Sequence, residues 1–230
     1  MAAPTLHRLG NLVVARFHPT WLRAVIPPNP MTAAEFLARY PYVEAVMDGA
    51  MFRPCDGEPN DYARYQCGQV DYAVLDALTG AFAVPRYPER GLTFLVYSDG
   101  AVQVREGVAP AWWGTPWLAW QGYPALLENG TNVASRTRDT NRTERAALGR
   151  HASGDLLFVS GVDSMYGFTE SARAADILDM AYGDGGQSRF VAVRDAQGHV
   201  LADDATNLSA RRVPSFLCAI NPLYALTVLK

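Results

Sequence analysis

The sequence predicts an α+β protein, a mixed but mainly antiparallel β-sheet accompanied by a few short helices. Short apolar runs separated by turn signals recur along most of the 230 residues, a pattern typical of strands. Only two segments look clearly helical, and mixed short strands with so few helices indicate the α+β class. The length suits a single domain spanning residues 1–230, with ample material for a sizeable core.

The first half of the chain predicts one helix and five strands. Thr32 is the expected N-cap of a helix reaching about Arg39, with Glu35 as its partner in a capping box. The Asp99-Gly100 dipeptide suits the tight turn of a hairpin. Polar residues 53–70 indicate a long surface loop. The predicted strands are residues 12–16, 21–25, 42–47, 94–98 and 101–105.

The second half predicts further strands around one more helix. A helix-like run at residues 169–178 leads into a glycine-rich loop at 183–188. Polar residues 131–144 indicate a second long loop, and residues 111–120 hold four of the five tryptophans, which favour core or loop packing over sugar stacking. The predicted strands are residues 126–128, 145–149, 156–159, 189–194 and 216–220.

Composition excludes several classes of partner. A net charge of −3 gives no electrostatic reason to expect nucleic acid or an anionic membrane. The N-terminal residues lack the basic start and apolar core of a signal peptide, and no apolar run is long enough to cross a bilayer. We therefore expect a soluble protein that acts in the cytoplasm or in association with a virion.

Cysteine and histidine usage gives no sign of a structural metal or a disulfide framework. Without an export signal, Cys55, Cys67 and Cys218 are expected to be free thiols, although Cys55 and Cys67 could pair across a loop in an oxidising compartment. The four histidines lack metal-ligand spacing, so no zinc site and no cofactor are predicted.

The most informative segment is the glycine-rich loop Gly183-Asp184-Gly185-Gly186-Gln187-Ser188. Glycine allows backbone conformations closed to other residues and lets a ligand approach the main chain. Asp184 and Ser188 would add a carboxylate and a hydroxyl at a fixed place. The loop is either a tight polar turn or a ligand-binding loop. A divalent cation held here stays open, although no ligand spacing argues for one.

Six motifs occur in an order found in one known family. They are Val46-Met47-Asp48-Gly49-Ala50-Met51-Phe52, the segment Gly122–Gly130, Arg145-Ala146-Ala147-Leu148-Gly149, Gly167-Phe168-Thr169-Glu170, Asp184-Gly185-Gly186-Gln187-Ser188, and Arg212-Val213-Pro214-Ser215. In this order they resemble the phosphodiester glycosidase family, which includes the uncovering-type N-acetylglucosamine-1-phosphodiester glycosidases. Asp48 stands in place of an amide, Ala146 of a threonine and Gln187 of a glycine, so a divergent member is implied.

The resemblance implies a hydrolase that cleaves the bond between a sugar's anomeric carbon and a phosphodiester oxygen. Arg145 is the expected phosphate anchor, because a guanidinium donates two hydrogen bonds to phosphate at once. Asp184 is the expected acid/base or sugar-binding carboxylate and Asp48 the second. Residues with a supporting role in substrate binding would be Gly185, Gly186, Ser188, Arg136, Arg212 and Glu128.

A different class of function stays open on the sequence alone. The substitutions at Asp48 and Gln187 are compatible with a non-catalytic binding or structural protein, for instance a virion component, that holds a glycan or nucleotide in the same cleft. A nucleotide-sugar or cyclic-nucleotide hydrolase using this cleft is a third, weaker alternative. Asp163 and Tyr166 are weak further candidates for the site.

Overall fold

A computed structural model describes residues 3–49, 70, 72–84, 87–107, 116–134, 140–185, 189–203, 208 and 212–224, with the backbone alone at residues 184 and 185. In chain order the strands are β1 (Leu6–Leu9), β2 (Leu12–Phe17), β3 (Leu22–Val25), β4 (Val43–Asp48), β5 (Val74–Asp76), β6 (Phe82–Ala83), β7 (Leu92–Val96), β8 (Val102–Glu106), β9 (Leu118–Gly122), β10 (Ala125–Glu128), β11 (Thr131–Asn132), β12 (Thr143–His151), β13 (Leu156–Asp163), β14 (Ile177–Gly185), β15 (Val191–Arg194), β16 (Val200–Ala202) and β17 (Phe216–Ile220). The helices are α1 (Ala33–Arg39), α2 (Met165–Arg173) and a short 3₁₀ helix (Pro19–Trp21).

The strands form three sheets. The seven-stranded sheet has the order β1-β2-β13-β12-β14-β10-β11. The β4 sheet has the order β16-β15-β4-β17-β3, and the β9 sheet has the order β6-β5-β9-β7-β8. All ladders between these named strands are antiparallel. The predicted α+β class with a mainly antiparallel sheet is therefore confirmed.

The three sheets face one another across a central core. Phe158 contributes from the seven-stranded sheet, Met47 from the β4 sheet, and Phe94 and Trp120 from the β9 sheet. The tryptophan-rich segment thus supplies a core residue at Trp120, which is fully buried. Helix α2 covers the opposite face of the seven-stranded sheet, and α1 covers the outer face of the β4 sheet. This arrangement puts the ends of β4 and β14 side by side.

The first helix and the hairpin lie where short-range signals predict them. The Thr32 side chain accepts a hydrogen bond from the Glu35 N–H, and the Glu35 carboxylate accepts one from the Thr32 N–H, as a capping box requires. Strands β7 and β8 pair across the Asp99-Gly100 turn, where Gly100 has a φ of 86°. Both predictions depend on contacts between residues close in sequence.

The predicted helix at residues 169–178 is wrong in its limits. Helix α2 begins earlier, after Ser164, whose side chain accepts from the Gly167 N–H, and it ends at Arg173. Residues from Ile177 onward form the long strand β14 instead. This strand pairs on both sides and is buried on both faces, so its apolar residues run nearly without interruption and resemble a helix end.

The predicted long loops are also revised. Gly183, Asp184 and Gly185 belong to the end of β14 and not to a loop, whereas residues 186–188 lie outside the described part. Residues 131–144 include β11 and the start of β12. Most of the predicted loop at 53–70, including Cys55 and Cys67, lies outside the described residues.

A buried aspartate joins two of the sheets. The Asp76 carboxylate, at the end of β5, accepts hydrogen bonds from the N–H groups of Ala24 in β3 (2.8 Å), Leu78 (2.9 Å) and Thr79 (3.2 Å). Burial raises the pKa of Asp76 above its usual value, although these N–H groups and the charge of Arg23 act in the opposite direction. The carboxylate therefore links the β9 sheet to the β4 sheet through backbone donors.

Replacing Asp76→Ala is expected to lower the free energy of unfolding by about 3 kcal/mol, because three backbone N–H groups at a buried position lose their acceptor. Urea denaturation of the variant measures the loss. The matched control is Asp99→Ala, since the Asp99 carboxylate accepts from a single N–H, that of Ala101, in an exposed turn. Equal losses in the two variants would contradict the assigned role of Asp76.

Candidate active site

Two strand ends from different sheets meet at glycines. A Cβ atom placed on Gly183, near the end of β14, would lie 3.0 Å from the Met47 Cε and 3.2 Å from the Gly49 carbonyl oxygen. It would also lie 3.6 Å from the Ala146 carbonyl oxygen in β12. We call this meeting point of Gly49, Gly183 and Ala146 the glycine junction. It brings together two of the six motifs that the sequence singles out, those of Gly49 and Ala146, and the residue directly before a third, which begins at Asp184.

Gly49 makes the junction possible by packing directly on Ser215. The Gly49 N–H donates to the Ser215 carbonyl oxygen over 3.0 Å. A Cβ on Gly49 would lie 2.4 Å from the Ser215 Oγ and 2.8 Å from its carbonyl carbon, distances that side chains do not tolerate. The absence of a side chain is therefore what allows β4 and the segment leading into β17 to approach so closely.

Arg145 lies on β12 beside the junction, where the ladder pairs it with Gly185 of β14. Its side chain is buried, with 2% of the residue exposed. The Nε donates to the Asp163 carbonyl oxygen (2.9 Å) and the Nη2 to the Asn141 carbonyl oxygen (2.8 Å), while the guanidinium carbon lies 5.9 Å from the centroid of the Tyr182 ring. Carbonyl oxygens orient a guanidinium without removing its positive charge.

Asp48 is the last residue of β4, opposite Phe216 of β17, and it directly precedes Gly49. Only 1% of the residue is exposed, and solvent reaches neither carboxylate oxygen. Asp48 therefore does not lie in an exposed turn. Its position between Met47 and Gly49 places it at the glycine junction, within the interior of the protein.

The other predicted site residues differ in how close they lie to the glycine junction. Gly185 lies opposite Arg145, and Asp184 occupies the preceding position of β14. Glu128 lies on the wall of a neighbouring cleft. Arg212 lies beside the start of α1, where its guanidinium donates to the Pro30 carbonyl oxygen (2.9 Å) and to the Glu35 carboxylate (2.5 Å). The predictions for Arg136, Gly186 and Ser188 concern residues outside the described part.

The weak candidates lie around helix α2. The Asp163 carbonyl oxygen accepts from Arg145, whereas its carboxylate accepts from the N–H of Ser164 and the side chain of Asn11. Asp163 therefore helps to position Arg145. Tyr166 is exposed on the first turn of α2.

Sequence reasoning missed a buried ion pair next to the glycine-rich segment. The Arg189 guanidinium bonds the Asp203 carboxylate, and both side chains are almost completely buried (6% and 1% exposed). The other carboxylate oxygen of Asp203 accepts from the Val191 N–H over 2.9 Å. The pair anchors the chain where it leaves residues 183–188. The one signal in the sequence was the position of Arg189 immediately after Ser188.

A cleft of about 530 Å³ adjoins these elements. Its lining residues are Glu89, Arg90, Gly91, Glu106, Tyr123, Pro124, Ala125, Glu128, Val133 and Met165. Tyr123 and Pro124 connect the cleft to the junction, because the Tyr123 N–H donates to the Tyr182 carbonyl oxygen and the Tyr182 N–H donates to the Pro124 carbonyl oxygen, each over 3.0 Å. Tyr182 in turn lies under the Arg145 guanidinium.

Two further properties concern metals and membranes. Within the described ranges, no group of three or more His, Cys, Asp or Glu residues is arranged to hold a metal ion. None of the helices in that part of the chain is long and apolar enough to cross a membrane. Cys218 is a free and fully buried thiol, and burial raises its pKa.

Solved structures share this fold. The catalytic domain of zebrafish N-acetylglucosamine-1-phosphodiester alpha-N-acetylglucosaminidase, auto-inhibited by its pro-peptide, matches with a TM-score of 0.69 and 12% identity over 91% of this chain and 76% of that one. A hypothetical protein from Synechocystis matches with a TM-score of 0.58 and 11% identity, over 95% and 61%. A protein from Burkholderia pseudomallei matches with a TM-score of 0.57 and 12% identity, over 91% and 74%.

No protein-family model and no curated protein sequence matches the chain. At the identities found among solved structures, the likeness shows a shared fold and a distant structural relationship. The resemblance read from the six motifs is thus supported at the level of fold, and activity and substrate are matters for proposal.

Replacing Gly49→Ala is expected to lower the free energy of unfolding by about 3 kcal/mol, because the new Cβ would overlap backbone atoms of Ser215. The control is Gly149→Ala in β12, where the nearest atom is the Ile177 Cγ2 at 3.0 Å, a side-chain methyl group that can move. Chemical denaturation of both variants compares the two costs. A Gly49 variant as stable as the control would show that the close packing at the junction is not required.

Proposed function

We propose that the protein is a hydrolase that cleaves the bond between a sugar's anomeric carbon and a phosphodiester oxygen. The observation that carries the proposal is the convergence of Asp48-Gly49, Gly183 and Arg145-Ala146 at one junction. The fold shared with a phosphodiester glycosidase catalytic domain supports it. The substrate is a small molecule or glycan that carries a glycosyl-1-phosphodiester.

Arg145 is the proposed phosphate anchor. Its hydrogen bonds to the carbonyl oxygens of Asp163 and Asn141 hold the guanidinium in one orientation, so little rotational freedom is lost when an anion binds. The pairing of Arg145 with Gly185 also places the backbone of the glycine-rich segment next to the cation. Backbone N–H groups of Gly185 and Gly186, the Ser188 hydroxyl and Arg136 would complete the phosphate site.

The two carboxylates receive different roles. Solvent does not reach the carboxylate of Asp48, so this group suits orientation of neighbouring protein groups rather than activation of water or direct contact with the sugar. A general base must come within hydrogen-bonding distance of the water whose proton it takes. We therefore assign activation of the water to Asp184, the other carboxylate that the motifs predict for the site. Asp184 lies on the strand that carries Gly183 and Gly185.

The reaction balances with water alone. The water oxygen forms a bond to the anomeric carbon while the bond from that carbon to the phosphodiester oxygen breaks. The phosphate leaves as a monoester with the electron pair of the broken bond, and the proton of the attacking water passes to Asp184 and from there to solvent. A phosphate monoester is a good leaving group, so the site has no strict need for a strong general acid.

A second function uses the same site without turnover. The deep burial of Asp48 is also what a purely structural carboxylate would show, and it favours a protein that binds a glycan or nucleotide phosphodiester but does not hydrolyse it. Saturable binding in the absence of product would support this alternative.

Arg145→Lys is expected to lower kcat/KM for hydrolysis of N-acetylglucosamine 1-phosphodiesters about 100-fold or more, because lysine keeps the charge but loses the bidentate fork. Asp184→Asn is expected to abolish release of free sugar. Mass spectrometry of products from a panel that includes UDP-sugars measures both effects.

The controls for these variants are Arg105→Lys and Asp99→Asn, which change the same side-chain types at exposed positions of the β7–β8 hairpin. Folding is monitored by near-UV circular dichroism. If the Arg145 and Asp184 variants fold and hydrolyse at the rate of these controls, the site assignment is wrong. If no compound in the panel is hydrolysed by the unmodified protein but a phosphodiester binds, the binding function replaces the enzymatic one.

A further inference from the structure

The described residues that line the cleft next to the junction carry more carboxylates than guanidinium groups. Among the described residues, three carboxylates line it, those of Glu89, Glu106 and Glu128, together with the guanidinium of Arg90, which pairs with Glu89. An excess of carboxylates repels a second phosphate or any acidic group and attracts a cation. The guanidinium of Arg145, the proposed phosphate anchor beside the junction, has the opposite preference. The two regions together therefore favour a ligand with a negative part and a positive part.

The wall of the cleft is held rigidly in place. Gln121 of β9 is fully buried, and its side chain accepts from the Ala73 N–H and donates to the carbonyl oxygens of Tyr87 and Arg90. Gly91 has a φ of 69°, and a Cβ on it would lie 2.0 Å from the Gly122 carbonyl oxygen. The backbone of the turn at residues 87–91 is thereby fixed against the end of β9, and the exposed side chains of Glu89 and Arg90 line the cleft from there.

Aromatic rings and the Arg90 guanidinium form one stack beside the cleft. Tyr123 lies nearly parallel to Tyr72, with ring centroids 5.7 Å apart. The Arg90 guanidinium carbon lies 4.7 Å from the centroid of Tyr87 and 5.8 Å from that of Tyr123, and Arg90 pairs with Glu89 at 3.4 Å. These contacts show that tyrosine faces in this cluster already accommodate a cation.

Tyr123, Pro124 and Tyr182 connect the cleft to Arg145, the proposed phosphate anchor. Tyr123 and Pro124 line the cleft and exchange hydrogen bonds with the backbone of Tyr182. The ring of Tyr182 lies 5.9 Å from the Arg145 guanidinium carbon. Met165, also on the cleft wall, follows two residues after Asp163, whose carbonyl oxygen accepts from Arg145. A group attached to a phosphate at Arg145 is therefore close to the cleft.

We infer that the cleft binds the organic group esterified to the phosphate and selects one that carries an ammonium group, such as a choline or aminoalkyl ester. This inference builds on the proposed function and adds the chemical class of the leaving group. A phosphate followed by a quaternary ammonium matches the order of charges from Arg145 to the carboxylates. An ester bearing a carboxylate, or the further phosphate of a UDP-sugar, is disfavoured at the same place.

The test uses three N-acetylglucosamine 1-phosphodiesters of nearly equal size, with choline, 3,3-dimethylbutyl and 3-carboxypropyl groups. The choline ester is expected to have a kcat/KM about 10-fold above the neutral ester, and the carboxylate ester a lower value than the neutral one. In the double variant E89Q/E106Q, the kcat/KM values of the three esters are expected to become similar. The control E44Q changes a half-buried glutamate at the other end of β4.

A binding measurement separates this inference from the proposed function. Isothermal titration of the full chain with choline and with 3,3-dimethylbutanol needs no turnover, and choline is expected to bind more tightly in the unmodified protein and in E44Q but not in E89Q/E106Q. Choline binding of this kind without sugar release overturns the proposed hydrolysis and leaves the cleft assignment standing. Sugar release at equal rates from all three esters, unaffected by E89Q/E106Q, overturns the cleft assignment and leaves the hydrolysis standing. Absence of both overturns both.

Discussion

The steric contact between two strand ends at Gly183 and Gly49 determines how the rest of the structure is arranged. A Cβ atom placed on Gly183 would meet the Met47 side chain and the Gly49 carbonyl oxygen, and a Cβ atom placed on Gly49 would meet Ser215. Because Ser215 leaves no room for a side chain at Gly49, and Gly183 lies against the Gly49 carbonyl oxygen, the seven-stranded sheet and the β4 sheet approach each other at backbone distance. That approach brings Gly49 and Ala146, the chain neighbours of Asp48 and Arg145, to the same junction although they belong to different sheets.

Much of the fold could be predicted because its signals are local. The capping box of Thr32 and Glu35 and the Asp99-Gly100 hairpin each depend on residues a few positions apart. The limits of α2 could not be predicted in the same way. Strand β14 is central and buried on both faces, so Ile177 and its neighbours lack the polar alternation that marks a strand with one face in solvent.

The same distinction applies to the candidate site: its motifs are visible in the sequence, whereas the contacts that orient its residues are not. The motif order pointed to Arg145 and Asp48, and the structure places both at the glycine junction. The bonds that orient Arg145 come from the carbonyl oxygens of Asp163 and Asn141, and any residue type supplies a carbonyl oxygen. The buried pair of Arg189 and Asp203 likewise depends on how β15 and the segment after β16 fold together. Such contacts cannot be recognised from a single sequence.

Strand β14 lies between the two parts of the proposed site. One side of it pairs with β12, which carries Arg145, and the other side pairs with β10 next to Tyr123 and Pro124 on the cleft wall. A ligand that draws on the positive charge of Arg145 and the negative charge of the cleft therefore contacts neighbours of a single strand. Because β14 is central, hydrogen-bonded on both sides and buried, the sheet fixes the backbone positions of Arg145 and of the cleft wall relative to each other. Fixed backbones limit how far apart the opposite charges of a bound ligand can lie, which is a stricter criterion than net charge.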